Sequence, residues 1–379
     1  MASSHQRPER NHEVSLIWPV QISPLKDELL SSWLVRASLA HGCDPMSLTS
    51  AVWPTWRAWT VDIDRTLDDT RLLSLCGSSG LSIDELSNMT LFHHLDGKIL
   101  LIGKRPSNLP WVIAMGSRNR QHKMGVPYCP CCLRMHDPYF RWQWRLAWYT
   151  YCPLHHHELI ECCPSCNMPV QYHRVSAQTP HIGICFHCGY DLSSAVSARV
   201  EAMQPDFQKL ASNVFGTGAA DWGGRQISSL DWFVLAKLLL NLIRRSASRE
   251  QKAPSHLGDF IQATGIGLHS LPLPPTQLPI ELLPLKQRKP LLAAVAQMLS
   301  LERNLLLHLL KEYGVSRNTL MNELTWPSET VMDWIDELPA NSVQRIRTNP
   351  IQIRRPRPKA KEVVRREWAR LLRRHGLLR

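Results

Sequence analysis

Eight Cys and His residues between Cys129 and Cys188 fall into four pairs of identical spacing: Cys129 and Cys132, Cys152 and His155, Cys163 and Cys166, Cys185 and Cys188. Two residues between ligands let the chain fold as a tight knuckle that aims both donor atoms at one point, and thiolate and imidazole are the donors that tetrahedral zinc takes. Nineteen residues in one case and 18 in the other let the chain return with the second pair. The expectation is two zinc ions per chain. One would lie among Cys129, Cys132, Cys152 and His155, and the other among Cys163, Cys166, Cys185 and Cys188. A catalytic zinc usually keeps three protein ligands and an open position, whereas here four donors are on offer twice, so both sites read as structural. His156 and His157 adjoin His155 and leave the choice of imidazole open. Cys131, Cys162 and His187 read as neighbours of ligands, and Cys43 and Cys76 as small core residues.

Eleven cysteines in 379 residues could instead form disulfides. Met1 to His12 is polar and charged, with no apolar signal segment, so the cysteines are expected to be reduced and the protein cytoplasmic. No run approaches the 18 apolar residues of a membrane span. With 44% apolar residues the chain has enough core for two or three domains.

The formal charge of +12 is concentrated at one end. Thirteen Lys and Arg lie between Arg345 and Arg379 against only Glu362 and Glu367, so the rest of the chain is nearly balanced. Such a segment suits a phosphate backbone, because each phosphate it neutralises releases condensed counterions. Arg354, Arg355, Arg357, Lys359, Lys361, Arg365, Arg366, Arg370, Arg373 and Arg374 are therefore candidate nucleic-acid contacts. The plainer reading is a solvated tail.

The elements that must position these residues are mostly helical. Leu29, Leu30, Trp33, Leu34 and Ala37 recur at three-and-four spacing, which predicts an amphipathic helix over 26–41, and a shorter helix is expected from Pro45 to about Ser50. Trp53, Trp56 and Trp59 read as core. Residues 64–76 and 82–89 suggest two helices joined by a glycine turn, the second begun by a Ser82-x-x-Glu85 capping box. Together they resemble either a helix-turn-helix or simple helical packing. The aromatics from Tyr139 to Tyr151 are expected to supply core beside small zinc modules. After Asp206 helices are expected from a cap at Ser229 or Asp231 to Arg245, then over 290–299, 302–313, a short one to Leu324, and 328–338. Residues 306–324 again look like a helix-turn-helix, with Arg317 and Asn318 on the element that would read base edges. The resulting fold class is mainly α with small zinc-ribbon or zinc-knuckle β elements. The expected divisions are a disordered N-terminus (1–14), an N-terminal helical, helix-turn-helix-like domain (15–120), a tandem zinc-finger block (121–200), a C-terminal helical domain (201–340) and a basic tail (341–379).

Several of these residues also carry a resemblance. Leu25-Lys-Asp-Glu-Leu-Leu-Ser-Ser-Trp-Leu-Val-Arg36, Asp62-Ile-Asp-Arg65, Tyr128-Cys-Pro-x-Cys-Leu133, Pro138-Tyr-Phe-Arg141, Trp144-Arg145 and Cys152-Pro-Leu-His155 together look like the TniQ family, over roughly residues 16–192. These are transposition accessory proteins similar to the target selector TnsD. The resemblance implies the same eight zinc ligands, with Cys131 inside the first knuckle and His156-His157 after the second as departures. It implies a non-catalytic adaptor that couples target DNA, or an RNA-guided CRISPR effector complex, to the AAA+ ATPase that regulates the transposase. The resemblance further implies a homodimer in some members, and the expected setting is cytoplasmic and nucleoid-associated, away from membranes. The alternative is a zinc-containing DNA-binding transcriptional regulator.

Enzyme readings find less support in the residues. His156-His157-Glu158 followed by Cys163-Pro-Ser-Cys166 is superficially like a zinc deaminase. No Pro precedes Cys163, however, and four residues between Glu158 and Cys163 are too few for separate elements to build a pocket. Gly103-Lys104 is followed by Arg105 and lacks the upstream glycine of a P-loop.

Overall fold

A computed structural model describes residues 17–100, 109–113, 115, 125–200, 206–250, 255–271, 278–324, 328–340, 365 and 368. The expected N-terminal disorder, the Gly103-Lys104-Arg105 segment and all the nominated tail residues except Arg365 lie outside the described residues. Thirteen α-helices and four short strands are found among the described residues. None of these helices is long and apolar enough to cross a membrane.

Helix α1 (Leu30–Ala40) buries Leu30, Trp33, Leu34 and Ala37, the stripe anticipated from their spacing. It begins four residues later than the apolar pattern suggests. Asp27 takes φ +63, and the amide of Leu29 donates to Phe140 O at 3.0 Å while that of Trp142 donates to Asp27 O at 3.0 Å. Residues 27–29 thus pair with the central Cys/His-rich block instead of extending the helix. Helix α2 (Pro45–Val52) starts at a proline whose missing amide costs nothing there, and the Asp44 carboxylate accepts from the Ser47 amide. Helix α3 (Asp69–Ser79) is capped by Asp68 and ends on Gly80 at φ +75, a left-handed stop that glycine adopts without a Cβ clash. It starts five residues later than expected because Asp64 is committed elsewhere. Helix α4 (Ile83–Ser87) has both halves of the Ser82–Glu85 capping box, and α5 (Leu91–Leu95) follows. Trp18, Trp33, Leu34, Leu48, Trp53, Leu72, Leu75 and Leu86 make a small core among these helices. Trp53 is buried inside it, as its core reading anticipated, and the half-buried Trp56 packs against it, meeting Trp53 edge to face at 5.0 Å.

The central block has little regular structure: α6 (Pro130–Leu133) and an antiparallel pair, β1 (Tyr151–Cys152) with β2 (His157–Glu158), in the register Tyr151 to Glu158 and Cys152 to His157. Its interior is aromatic. Phe140, Trp142, Trp144 and Trp148 are all buried, which agrees with their reading as core.

Helix α7 (Phe207–Thr217) leads into a hairpin, β3 (Ala219–Trp222) and β4 (Arg225–Ser228), which the sequence reading missed. Gly223 and Gly224 turn it at φ +64 and +78, the conformation a two-residue hairpin loop requires. Helix α8 (Ser229–Glu250) runs past the expected stop at Arg245 because Ser246 and Ala247 are still buried. Packed around it are α7, α9 (His256–Ala263), α10 (Leu285–Leu299) and α13 (Glu329–Asp336). Helices α11 (Arg303–Glu312) and α12 (Arg317–Met321) complete the described set. Helix α10 begins before Pro290 and so carries that proline inside; the carboxylate of Glu161 serves its first turn by accepting from the Leu285 amide at 2.7 Å. One continuous apolar cluster takes in residues from Leu29 through the aromatic block to Leu338. The chain divides into two compact units, Met1–Ser342 and Val343–Arg379. In the second, Arg365 and Trp368 are helical and exposed.

Candidate metal centres

Both sets of four candidate ligands converge. In each, one donor atom from every residue lies within 4.8 Å of the others. In the first, Cys132 Sγ is 3.6 Å from Cys152 Sγ, and His155 Nδ1 is 3.6, 3.4 and 3.5 Å from Cys129, Cys132 and Cys152. In the second, Cys163 and Cys188 are 3.6 Å apart and Cys166 and Cys185 3.7 Å. Sulfur ligands at about 2.3 Å from a tetrahedral zinc stand roughly 3.8 Å from one another, so these edges fit that ion's coordination sphere. Of the three consecutive histidines, His155 is the one that turns to the cluster. His157 Nδ1 lies 3.0 Å from Ser197 O instead.

The knuckles share a backbone rule. The residue after each second ligand donates its amide to the carbonyl of the first: Leu133 to Cys129 at 3.1 Å, His156 to Cys152 at 2.8 Å, Asn167 to Cys163 at 2.8 Å, and Gly189 to Cys185 at 3.0 Å. In the last three that residue has positive φ, at +53, +56 and +74. Glycine tolerates this region, and asparagine and histidine are among the side chains enriched in it. Crowded thiols also share protons unequally. Hydrogen bonds from Cys129 and Cys132 hold the Cys152 thiol far below its ordinary range, while the same network drives Cys129 far above it. In the second cluster burial pushes Cys163 up to about 12, and the Tyr190 amide holds Cys188 down to about 7. A divalent cation would replace those protons and accept all the thiolates at once.

Burial separates the two clusters. Cys129, Cys132 and Cys152 are at most 2% exposed, and only His155 is half-buried. In the second, Cys163 and Cys185 are buried, Cys166 is half-buried and Cys188 is exposed. Residues 125–128 thread between the two modules, the Val126 amide donating to Val170 O and the Tyr128 amide to Ile160 O at 3.0 and 2.9 Å. A Cβ on Gly125 would lie 1.9 Å from Glu161 O, so the close approach of these segments needs glycine.

Two buried ion networks fasten the block to its neighbours. Arg145 is fully buried and bonds Asp62 at 2.5 Å, Asp64 at 2.8 Å and the Ile113 carbonyl at 2.8 and 3.0 Å. Asp64 also accepts from the amide and hydroxyl of Ser31 at 2.7 and 2.8 Å, and the Ser31 hydroxyl is 2.6 Å from that of Tyr172. Burial pushes Asp64 up to about 6, with Arg145 opposing and Asp62 adding to the shift. On the opposite flank Arg288, also fully buried, pairs with Glu161 and donates to Ala147 O at 2.6 Å. Gln208 Oε1 accepts from the amides of Thr150 and Tyr151 at 2.6 and 3.1 Å. Sequence reading passed over Arg288, Glu161 and Gln208, whose pairings span 127 and 58 positions. For Arg145 a signal existed: it and Asp62-x-Asp64 were among the residues that carried the resemblance.

Arg317 and Asn318 begin the five-residue helix α12, and Arg317 pairs with Asp336 of α13 at 3.3 Å, both half exposed. Glu158, the acid a deaminase would need, is paired with Lys289.

No curated protein matches the chain. Residues 19–159 match the family model described as TniQ. Those residues contain α1 to α5, the Arg145 network and the whole first cluster, while the second cluster lies beyond them. Over these residues, rather more than a third of its length, the chain is similar to the TniQ family of transposition proteins.

Proposed function

We propose that this protein is a non-catalytic transposition adaptor, in which two structural zinc ions stiffen a mount between an N-terminal helical layer and a C-terminal helical bundle. The observation that carries the reading is the pairing of a TniQ match with two four-donor clusters. Four protein ligands per ion leave no position for an attacking water, so the metal's contribution is to folding and rigidity. On this reading the adaptor couples target DNA, or an RNA-guided target complex, to an AAA+ ATPase that regulates the transposase. The basic segment 345–379 meets phosphates through the residues nominated above, Arg365 among them, and positions the protein without choosing sequence. Arg317 and Asn318 are the candidates for base contacts.

The test is recruitment. The full chain, purified with its metal, is mixed with DNA and with the AAA+ ATPase encoded beside its transposase. Co-elution of all three, lost when either DNA or this chain is omitted, is the expected result. An ATPase that assembles on DNA equally well without the chain would overturn the adaptor role. Binding restricted to a promoter, with no ATPase retained, would favour the transcriptional regulator.

A further inference from the structure

We propose that the second cluster is an oxidant-responsive centre, with Cys188 as the thiol at which a hydroperoxide enters and Cys163 as the one that resolves it. This rests on the zinc reading above and concerns a difference between the two clusters that the reading leaves open.

Thiolate oxidation follows access. In the first cluster the three sulfurs are buried, and the ligand nearest solvent is the imidazole of His155, which has no sulfur to oxidise. In the second, Cys188 is exposed and Cys166 half-buried, on two different knuckles. A peroxide therefore meets sulfur at one cluster and nitrogen at the other.

The reaction closes within the site. Cys188 sulfur attacks the O–O bond, an S–O bond forms, and hydroxide leaves and takes a proton as water. Cys163, 3.6 Å away, then attacks the Cys188 sulfenic sulfur. The S–S bond forms, the S–O bond breaks, and a second water departs. Two thiolates are oxidised, one hydroperoxide is reduced and two protons are consumed. Cys166 and Cys185 remain as two ligands, too few to retain the ion against solvent.

The loop between the ligand pairs carries the consequence. Within residues 167–184, the Tyr172 hydroxyl is 2.6 Å from that of Ser31 on α1, and His173 stacks on Trp59 at 5.3 Å with 9° between rings. Losing the second ion frees both ends of this loop, so the oxidation is felt at the N-terminal helical layer.

The experiment uses the full, metal-loaded chain. Zinc is counted before and after hydrogen peroxide, the cysteines are mapped by mass spectrometry, and amide exchange is followed over 167–184 and α1. Two equivalents at the start and one released, with a Cys163–Cys188 disulfide and faster exchange in both segments, is the expected result. Cys188→His keeps a zinc donor while removing the exposed sulfur, and should slow release about tenfold. Fewer than two equivalents at the start refutes the zinc reading and this proposal with it. Two equivalents followed by loss of both together, by loss from the first cluster first, or by no loss, refutes the oxidant response alone.

Discussion

Arg145 shows how one side chain decides whether two regions hold together. Its guanidinium is fully buried and divides its donors between two carboxylates and a backbone carbonyl, so both charge and geometry are compensated. Replacing it with Met leaves Asp62 and Asp64 side by side without a counter-charge. Breaking a buried pair from one side costs about 3–5 kcal/mol, and denaturant titration of Arg145→Met should show a loss of that order. A loss under about 1 kcal/mol would mean that water reaches the network.

His173 and His94 make a second residue-scale case. Each stacks on a tryptophan, Trp59 and Trp142, and their Nδ1 and Nε2 atoms respectively are buried without a hydrogen-bond partner. Burial lowers both to about 4 from an ordinary 6.5. A lowered folded-state value means the contribution is present above pH 6.5 and is lost as pH falls through 4. Asp64, raised to about 6, acts oppositely: its contribution is present below pH 3.8 and fades as pH rises through 6. Comparing wild type with His173→Phe cancels Asp64 and the two Cys/His clusters, which both proteins share. Phenylalanine keeps the stack, so the variant should gain on wild type as pH drops from 7 to 4, by up to about 3 kcal/mol. A stability difference that stays constant over that range would be inconsistent with a neutral, desolvated His173.

At the scale of elements, the proposed zinc ions would hold the knuckles more firmly than the knuckles hold each other. The block between Tyr128 and Ala195 has only a two-residue strand pair and short helical turns, too little regular structure to order itself. Cys163→Ala should therefore raise amide exchange across 160–195 while α8 and α10 stay protected, because those helices pack directly on each other and their Leu235, Leu239, Leu242, Leu291 and Val295 are all buried. Uniform destabilisation of both regions would instead show that the second ion is bound into the cooperative unit of the bundle.

For the molecule as a whole, charge is the readable quantity. The segment 345–379 holds thirteen basic residues against two acidic ones. If half of them meet phosphates, removing the segment should flatten the salt dependence of DNA binding by roughly six in the slope of log K against log salt. An unchanged slope would place the DNA contacts elsewhere.

The Cys/His knuckles, the helical periodicity and the caps were legible from the residues alone, because each depends on neighbours a few positions away. The four knuckles, the Ser82–Glu85 box and the Leu30–Ala37 stripe are all of this kind. Even the two late helix starts were failures of one sort: Asp27 and Asp64 belong by local pattern to helices, yet long-range partners hold them outside. Sequence alone favoured His155 by its spacing from Cys152 while leaving His156 and His157 open, and in the fold His156 has a left-handed backbone and His157 Nδ1 lies against Ser197 O. Which cluster faces solvent, and which arginine is sealed between carboxylates, were likewise decided by tertiary packing. Burial and the pairing of charges dozens of residues apart are properties of contacts, and contacts exist only once the chain has closed on itself.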